Sequence, residues 1–149
     1  MRKLILIALF VAATMGCGCS KDREASEENL IVKELPKMHL QGNLEIGEHR
    51  VIQSEEELYR AYTREAVMSV KELRDIDFST QTLLIGREFY ANQANLTYKF
   101  TKKDTMNYIF TVEINGLLAR PDGFTYGMIV KKLPKEANII FNIVKNNRI

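Results

Sequence analysis

The chain has 149 residues, 21 of them basic and 19 acidic, for a formal charge of +2 at neutral pH. Both excess charges are Arg2 and Lys3; from Leu4 onward the count is 19 against 19, which supplies no basic stripe and argues against a nucleic-acid partner. The two cysteines, Cys17 and Cys19, also lie near the N-terminus, so the rest of the chain has no disulfide of its own and must rely on an ordinary hydrophobic core.

Arg2 and Lys3 precede an apolar run over residues 4–15 and then Gly16-Cys17-Gly18-Cys19. A basic start, a short apolar stretch and small residues at a cut describe a secretory signal peptide, whereas a membrane span needs about 20 apolar residues. With cysteines at the cut, the leader resembles a bacterial lipoprotein signal, in which a cysteine becomes the acylated first residue of the mature chain. The resemblance implies a signal peptide over residues 1–18, palmitate-type lipidation of Cys19, and a membrane partner engaged only through that lipid. It implies an outer-membrane lipoprotein of the cell envelope, facing the periplasm or the cell surface. Cys19 is followed by the polar Ser20-Lys21-Asp22, as in many such proteins. Cys17 is the alternative, although Thr14-Met15-Gly16 before it lacks the usual branched aliphatic residue.

Residues 19–29 contain one small apolar residue beyond the cysteine, Ala25, and cannot bury enough surface to offset their ordering entropy. They read as a tether, solvated or carrying an acidic surface-export signal. Residues 30–149 read as a single domain. Pro36, Gly42 and Gly47 break the stretch from Leu30, which predicts a short strand or an irregular approach; Val51-Ile52 predicts a second short strand. Ser54-Glu55-Glu56-Glu57 is a capping box, with Leu58, Ala61 and Tyr62 at helical spacing behind it. This predicts a helix over about 55–64, with a further turn at about 67–73.

The period then changes to two. Thr82-Leu83-Leu84-Ile85-Gly86 predicts a buried strand, and residues 96–101 and 108–114 alternate on either side of a hairpin at Lys102-Lys103-Asp104. Asn115-Gly116 is a strong turn dipeptide. Strands are predicted over 124–133 and 139–144. The expectation is an α+β domain: a mainly antiparallel sheet of five or six strands with one main helix packed on it.

Ile52-Gln53-Ser54-Glu55-Glu56, Asp77-Phe78-Ser79 leading into the Thr82 strand, and Met128-Ile129-Val130-Lys131-Lys132-Leu133-Pro134 resemble, in that order, the C-terminal domain of the PrcB family of protease-complex accessory subunits. The resemblance covers about residues 50–144. The glycine-rich, tyrosine-containing loop of that family is replaced here by Arg87-Glu88-Phe89-Tyr90-Ala91-Asn92-Gln93. The resemblance implies an extracytoplasmic accessory module and no particular reaction.

Candidate chemistry is sparse. His39 and His49 are the only histidines; His49 near Ser54 is the nearest approach to a nucleophile and base, without a nucleophile-elbow pattern. Zinc needs three or four convergent ligands, and neither histidine has a partner at helical ligand spacing; no metal or cofactor is expected. Glu55, Glu56 and Glu57 point in different directions on a helix and suit its capping better than paired acid–base work. Arg120-Pro121-Asp122-Gly123 reads as a turn, and Arg120 with Phe124 and Tyr126 forms a candidate binding patch. Asp104-Thr105-Met106 resembles the acceptor motif of a Gram-negative O-glycosylation system, which marks Thr105. The reading is a lipid-anchored extracytoplasmic interaction or accessory module without catalytic activity, which binds a protein partner through a strand edge or through the turn at Arg120 to Tyr126. The alternative is a small cell-envelope hydrolase or carbohydrate-acting enzyme.

Overall fold

The computed structural model describes residues 29–117 and 119–147. The expected signal peptide, Cys17, Cys19 and all of the expected tether but Asn29 lie outside the described residues. The elements are β1 (Ile31–Glu34), β2 (His49–Ile52), α1 (Glu55–Ala61), α2 (Arg64–Ser69), α3 (Lys71–Arg74), β3 (Gln81–Ala91), β4 (Asn95–Lys102), β5 (Asn107–Gly116), β6 (Pro121–Lys131) and β7 (Asn138–Asn147).

Helices packed on a mostly antiparallel sheet are present, but the expectation of one sheet and one main helix is corrected. The strands form two sheets, ordered β1-β6-β3-β2 and β4-β5-β7, and the three helices are short, so the domain is mainly β. The reason lies in β3 and β6. Residues 82–86 and 124–130 are buried without alternation, so both faces of these strands need a cover. Leu83, Ile85 and Ile129 face Leu58, Ala61, Val67 and Leu73 of the helices, with Leu35 and Leu44 of the irregular segment after β1. Leu84, Phe124, Tyr126, Met128 and Val130 face Phe110, Val112 and Ile114 of the second sheet. The molecule therefore has three layers: helices, a four-stranded sheet, and a three-stranded sheet.

β3 and β6 form the spine, paired in register from Gln81 opposite Lys131 to Ala91 opposite Pro121. β4 and β5 form the expected hairpin. β7 then lies beside β5 in parallel, from Asn107 opposite Asn138 to Gly116 opposite Asn147, because β6 carries the chain through the other sheet between them. Parallel neighbours require such a crossover. Asn115-Gly116 is not a turn; it ends β5, paired to Asn146 and Asn147.

The helix start is as expected, with one change. Ser54 Oγ accepts from Glu57 N–H at 3.2 Å, but the Glu57 carboxylate reaches one residue further, accepting from Gln53 N–H at 2.7 Å. Tyr62 already has extended backbone, so α1 stops three residues before the expected end. Thr63 caps α2 by accepting from Ala66 N–H at 3.2 Å.

Candidate functional site

The expected patch of Arg120, Phe124 and Tyr126 does not assemble at the surface. Phe124 and Tyr126 are each 1% exposed and belong to the inter-sheet core. Both are even-numbered residues of β6, and the even face looks toward the second sheet; alternation along the strand sends them inward together. Arg120 is exposed and holds φ at 48° just before β6. Its carbonyl accepts from Asn92 N–H at 3.3 Å, and it lines a cavity of about 450 Å³ with Asn92, Gln93, Leu117 and Ala119.

Thr105 is exposed at the tip of the β4–β5 hairpin. Its neighbour Asp104 holds that turn: the carboxylate accepts from Met106 N–H and Asn107 N–H, both at 2.9 Å, and from Asn107 Nδ2. These bonds hold the Asp104 carboxyl below the usual carboxylate range. His49 and Ser54 are separately engaged. The His49 ring stacks on Phe141 with centroids 4.2 Å apart, while Ser54 Oγ caps α1. His39 Nδ1 sits 3.0 Å from the Gly123 carbonyl and 3.8 Å from the Asp122 carboxylate. Among the described residues, no three His, Cys, Asp or Glu side chains converge at metal-ligating range.

An ion pair joins the two sheets: the buried Glu88 of β3 meets Lys145 of β7 at 2.6 Å, with the lysine side chain reaching in from the exposed end of its strand. Tyr126 lies near Glu88, and burial with that charge pushes its hydroxyl up. Tyr62 Oη is buried with no hydrogen-bond partner among the described residues. Burial pushes it up to about 12; Thr125, outside hydrogen-bonding geometry, and Arg50 and Arg87 lower it only in part.

The feature that sequence reading leaves unlocated is the β7 edge. Four strands end the two sheets: β1, β2, β4 and β7. Exposed sheet edges recruit other strands unless they are short, bulged, charged or covered. β1 and β2 have four residues each, and the β1 register shifts between Ile31 and Lys33. β4 carries Lys99 on its exposed face, and its side of the sandwich is closed by Tyr98, whose hydroxyl donates to the Leu35 carbonyl at 3.0 Å. β7 is longer, and its single charge, Lys145, lies near its end on the inward face and is paired with Glu88. The strand runs for ten residues in unbroken register, and its outward face reads Asn138, Ile140, Asn142, Val144, Asn146, without charge or proline.

Three side-chain bonds tie that outward face to β5. Asn138 Nδ2 donates to Asn107 Oδ1 at 3.1 Å, Asn142 Nδ2 to Thr111 Oγ1 at 3.4 Å, and Asn146 Nδ2 to Asn115 Oδ1 at 2.8 Å. Each donor and acceptor sits at matching register, so the amides form a ladder that stiffens the strand. Ile140 is 54% exposed between two rungs. On the inward face Ile139, Phe141 and Ile143 reach the core but remain only partly buried. One signal was available in the sequence: the apolar and amide residues at 138–147 contain a single charged residue, Lys145.

No family model, no curated protein and no solved structure matches this chain.

Proposed function

We propose that this protein is a lipid-anchored extracytoplasmic interaction or accessory module that takes up a strand from another chain along the β7 edge. The observation that carries the reading is the contrast among the four edges: three are short or guarded, and the longest is open and uncharged on its outward face. Strand addition draws affinity from main-chain hydrogen bonds and specificity from alternate side chains. The amide ladder keeps β7 extended and so reduces the ordering cost of pairing. The leader ending in Cys17-Gly18-Cys19 supports the anchor, and the likeness to PrcB-type subunits supports an accessory role.

The anchor is tested by mass spectrometry of the mature N-terminal peptide, which is expected to begin with an acylated Cys19; an unmodified chain still starting at Met1 removes it. The binding reading is tested by affinity purification of the full chain from detergent-solubilised envelope, as wild type and as Asn142→Lys. The substitution places a charge in the centre of the edge at an exposed position. The expected outcome is loss of the co-eluting protein while the variant stays folded, with at most the small fall in Tm that follows from losing the exposed Asn142–Thr111 bond. Undiminished recovery by the variant overturns strand addition at β7.

A further inference from the structure

The outward face of β7 is a palindrome. Read in either direction from Asn142 it runs asparagine, branched aliphatic, asparagine: Asn142, Ile140, Asn138 one way and Asn142, Val144, Asn146 the other. We propose that the strand taken up by this edge is β7 of a second copy of the same chain, antiparallel and centred on Asn142. This rests on the strand-addition reading above and names its partner.

The backbone permits that register. Asn138 N–H donates to the Met106 carbonyl at 2.7 Å, which points the backbone groups of Asn138 toward β5. By strand alternation the even-numbered residues of β7 face β5, and Ile139, Phe141, Ile143 and Lys145 turn their N–H and C=O groups to the open side. An antiparallel pair centred on Asn142 sets Ile139 opposite Lys145 of the second copy and Phe141 opposite its Ile143. These are residues whose backbone groups face outward, so they form the hydrogen-bonded pairs. Asn138 opposite Asn146, Ile140 opposite Val144 and Asn142 opposite Asn142 then form the closer, non-hydrogen-bonded pairs. A centre between two residues would set outward-facing backbone groups against inward-facing ones.

The side chains agree with the same register. Amides meet amides, so the ladder from β5 continues across the axis, and Ile140 covers Val144 in both directions. Ile139, Phe141 and Ile143, partly buried in one copy, gain a neighbour on the inward face. The only charged residue of the strand, Lys145, is already paired with Glu88. It stands six residues from the position opposite its symmetry mate, a separation of about 20 Å and well past the screening length of about 8 Å at physiological salt. The product is a six-stranded sheet, β4-β5-β7 followed by its inverse, with an isologous two-fold contact. One strand pair buries less than the about 1,600 Å² of a standard interface, so the dimer is a reversible one.

Disulfide trapping in the full chain reads the register directly. Residues on the axis fall about 4.5 Å apart between Cα atoms, within the disulfide range, whereas residue 140 lies about 14 Å from residue 140 of the second copy. Under mild oxidation the mature Asn142→Cys protein is expected to give a reducible dimer that the wild type, with Cys17 removed and Cys19 acylated, does not give. Ile140→Cys alone gives none, and a mixture of Ile140→Cys with Val144→Cys gives the mixed dimer. Absence of a dimer from Asn142→Cys, or equal dimer from Asn142→Cys and Ile140→Cys, overturns the proposal. In that event, loss of another envelope protein from the Asn142→Lys purification means that a different chain occupies the edge. Unchanged recovery removes the edge reading together with the self-pairing.

Discussion

The hydroxyl of Tyr126 occupies the space above Gly86: a β-carbon built on Gly86 would overlap Tyr126 Oη and its ring carbon Cζ. The two residues are cross-strand partners in the β3–β6 ladder, and the tyrosine ring lies across the glycine on its way into the inter-sheet core. Tyr126 is 1% exposed and has no free direction in which to retreat. Gly86→Ala is therefore expected to destabilise the domain by about 1–3 kcal/mol, the usual cost of overpacking. Urea unfolding measures it. In a Tyr126→Leu background the same substitution should cost markedly less, because the pair is coupled; equal costs in both backgrounds would place the strain elsewhere.

Tyr98 joins the layers at the opposite side of the sandwich. Its hydroxyl donates to the Leu35 carbonyl at 3.0 Å and accepts from Gly127 N–H at 3.4 Å. Burial pushes this hydroxyl up, so it remains a donor at any physiological pH. Tyr98→Phe keeps the ring and its stacking on Phe110 while leaving both backbone groups short of a partner. An expected loss of about 1–3 kcal/mol follows from unsatisfied buried polar groups. Faster amide exchange at Gly127 would locate the effect; unchanged exchange there would show that water replaces the hydroxyl.

The cap of α1 is the most local element of the fold. Ser54→Ala removes the oxygen that accepts from Glu57 N–H. A loss of about 1 kcal/mol is expected, seen as a lower denaturant midpoint at constant slope. An unchanged midpoint would mean that the Glu57 carboxylate bond to Gln53 holds the helix start by itself.

Acid should act on the hairpin at Asp104. Its carboxyl is held low by the Met106 and Asn107 donors, so the folded chain binds that proton less readily than the unfolded one. The stabilisation is complete above the unfolded value of about 4 and is lost as pH falls through the lower folded value. Asp104→Asn is expected to be less stable than wild type at pH 7, with the gap narrowing toward pH 2. Urea midpoints at a series of pH values check the sign. A gap that widens in acid would mean that the charge opposes the turn.

What could be read from the residues follows from how many faces each strand buries. β4 and β5 have one face on the core and one in water, so Tyr98, Phe100, Phe110 and Val112 alternate with polar neighbours and both strands are legible. β3 and β6 are covered on both sides, and Leu83-Leu84-Ile85 and residues 124–130 read only as apolar runs. Such runs do not say which layer each residue faces, so they do not reveal that Phe124 and Tyr126 both point into the inter-sheet core. Asn115-Gly116 misleads for a different reason. Gly116 is needed because a β-carbon there would come within 3.0 Å of Ala94 Cα, a requirement of close approach and not of turning. The β7 edge was not legible because its openness depends on sheet order, which sequence neighbours do not reveal: three of the four short links from β3 to β7 cross between sheets.

Those crossings have a further consequence. The chain passes between sheets after β3, after β5 and after β6, so neither sheet is built from one continuous segment. A weave of this kind cannot come apart one layer at a time: freeing the three-stranded sheet would pull on the links that hold β3 and β6 in the other. The two layers should melt as one event by every optical probe, and folding should be slow for the size of the chain, because β7 finds its place beside β5 only after β6 has been laid down across the molecule.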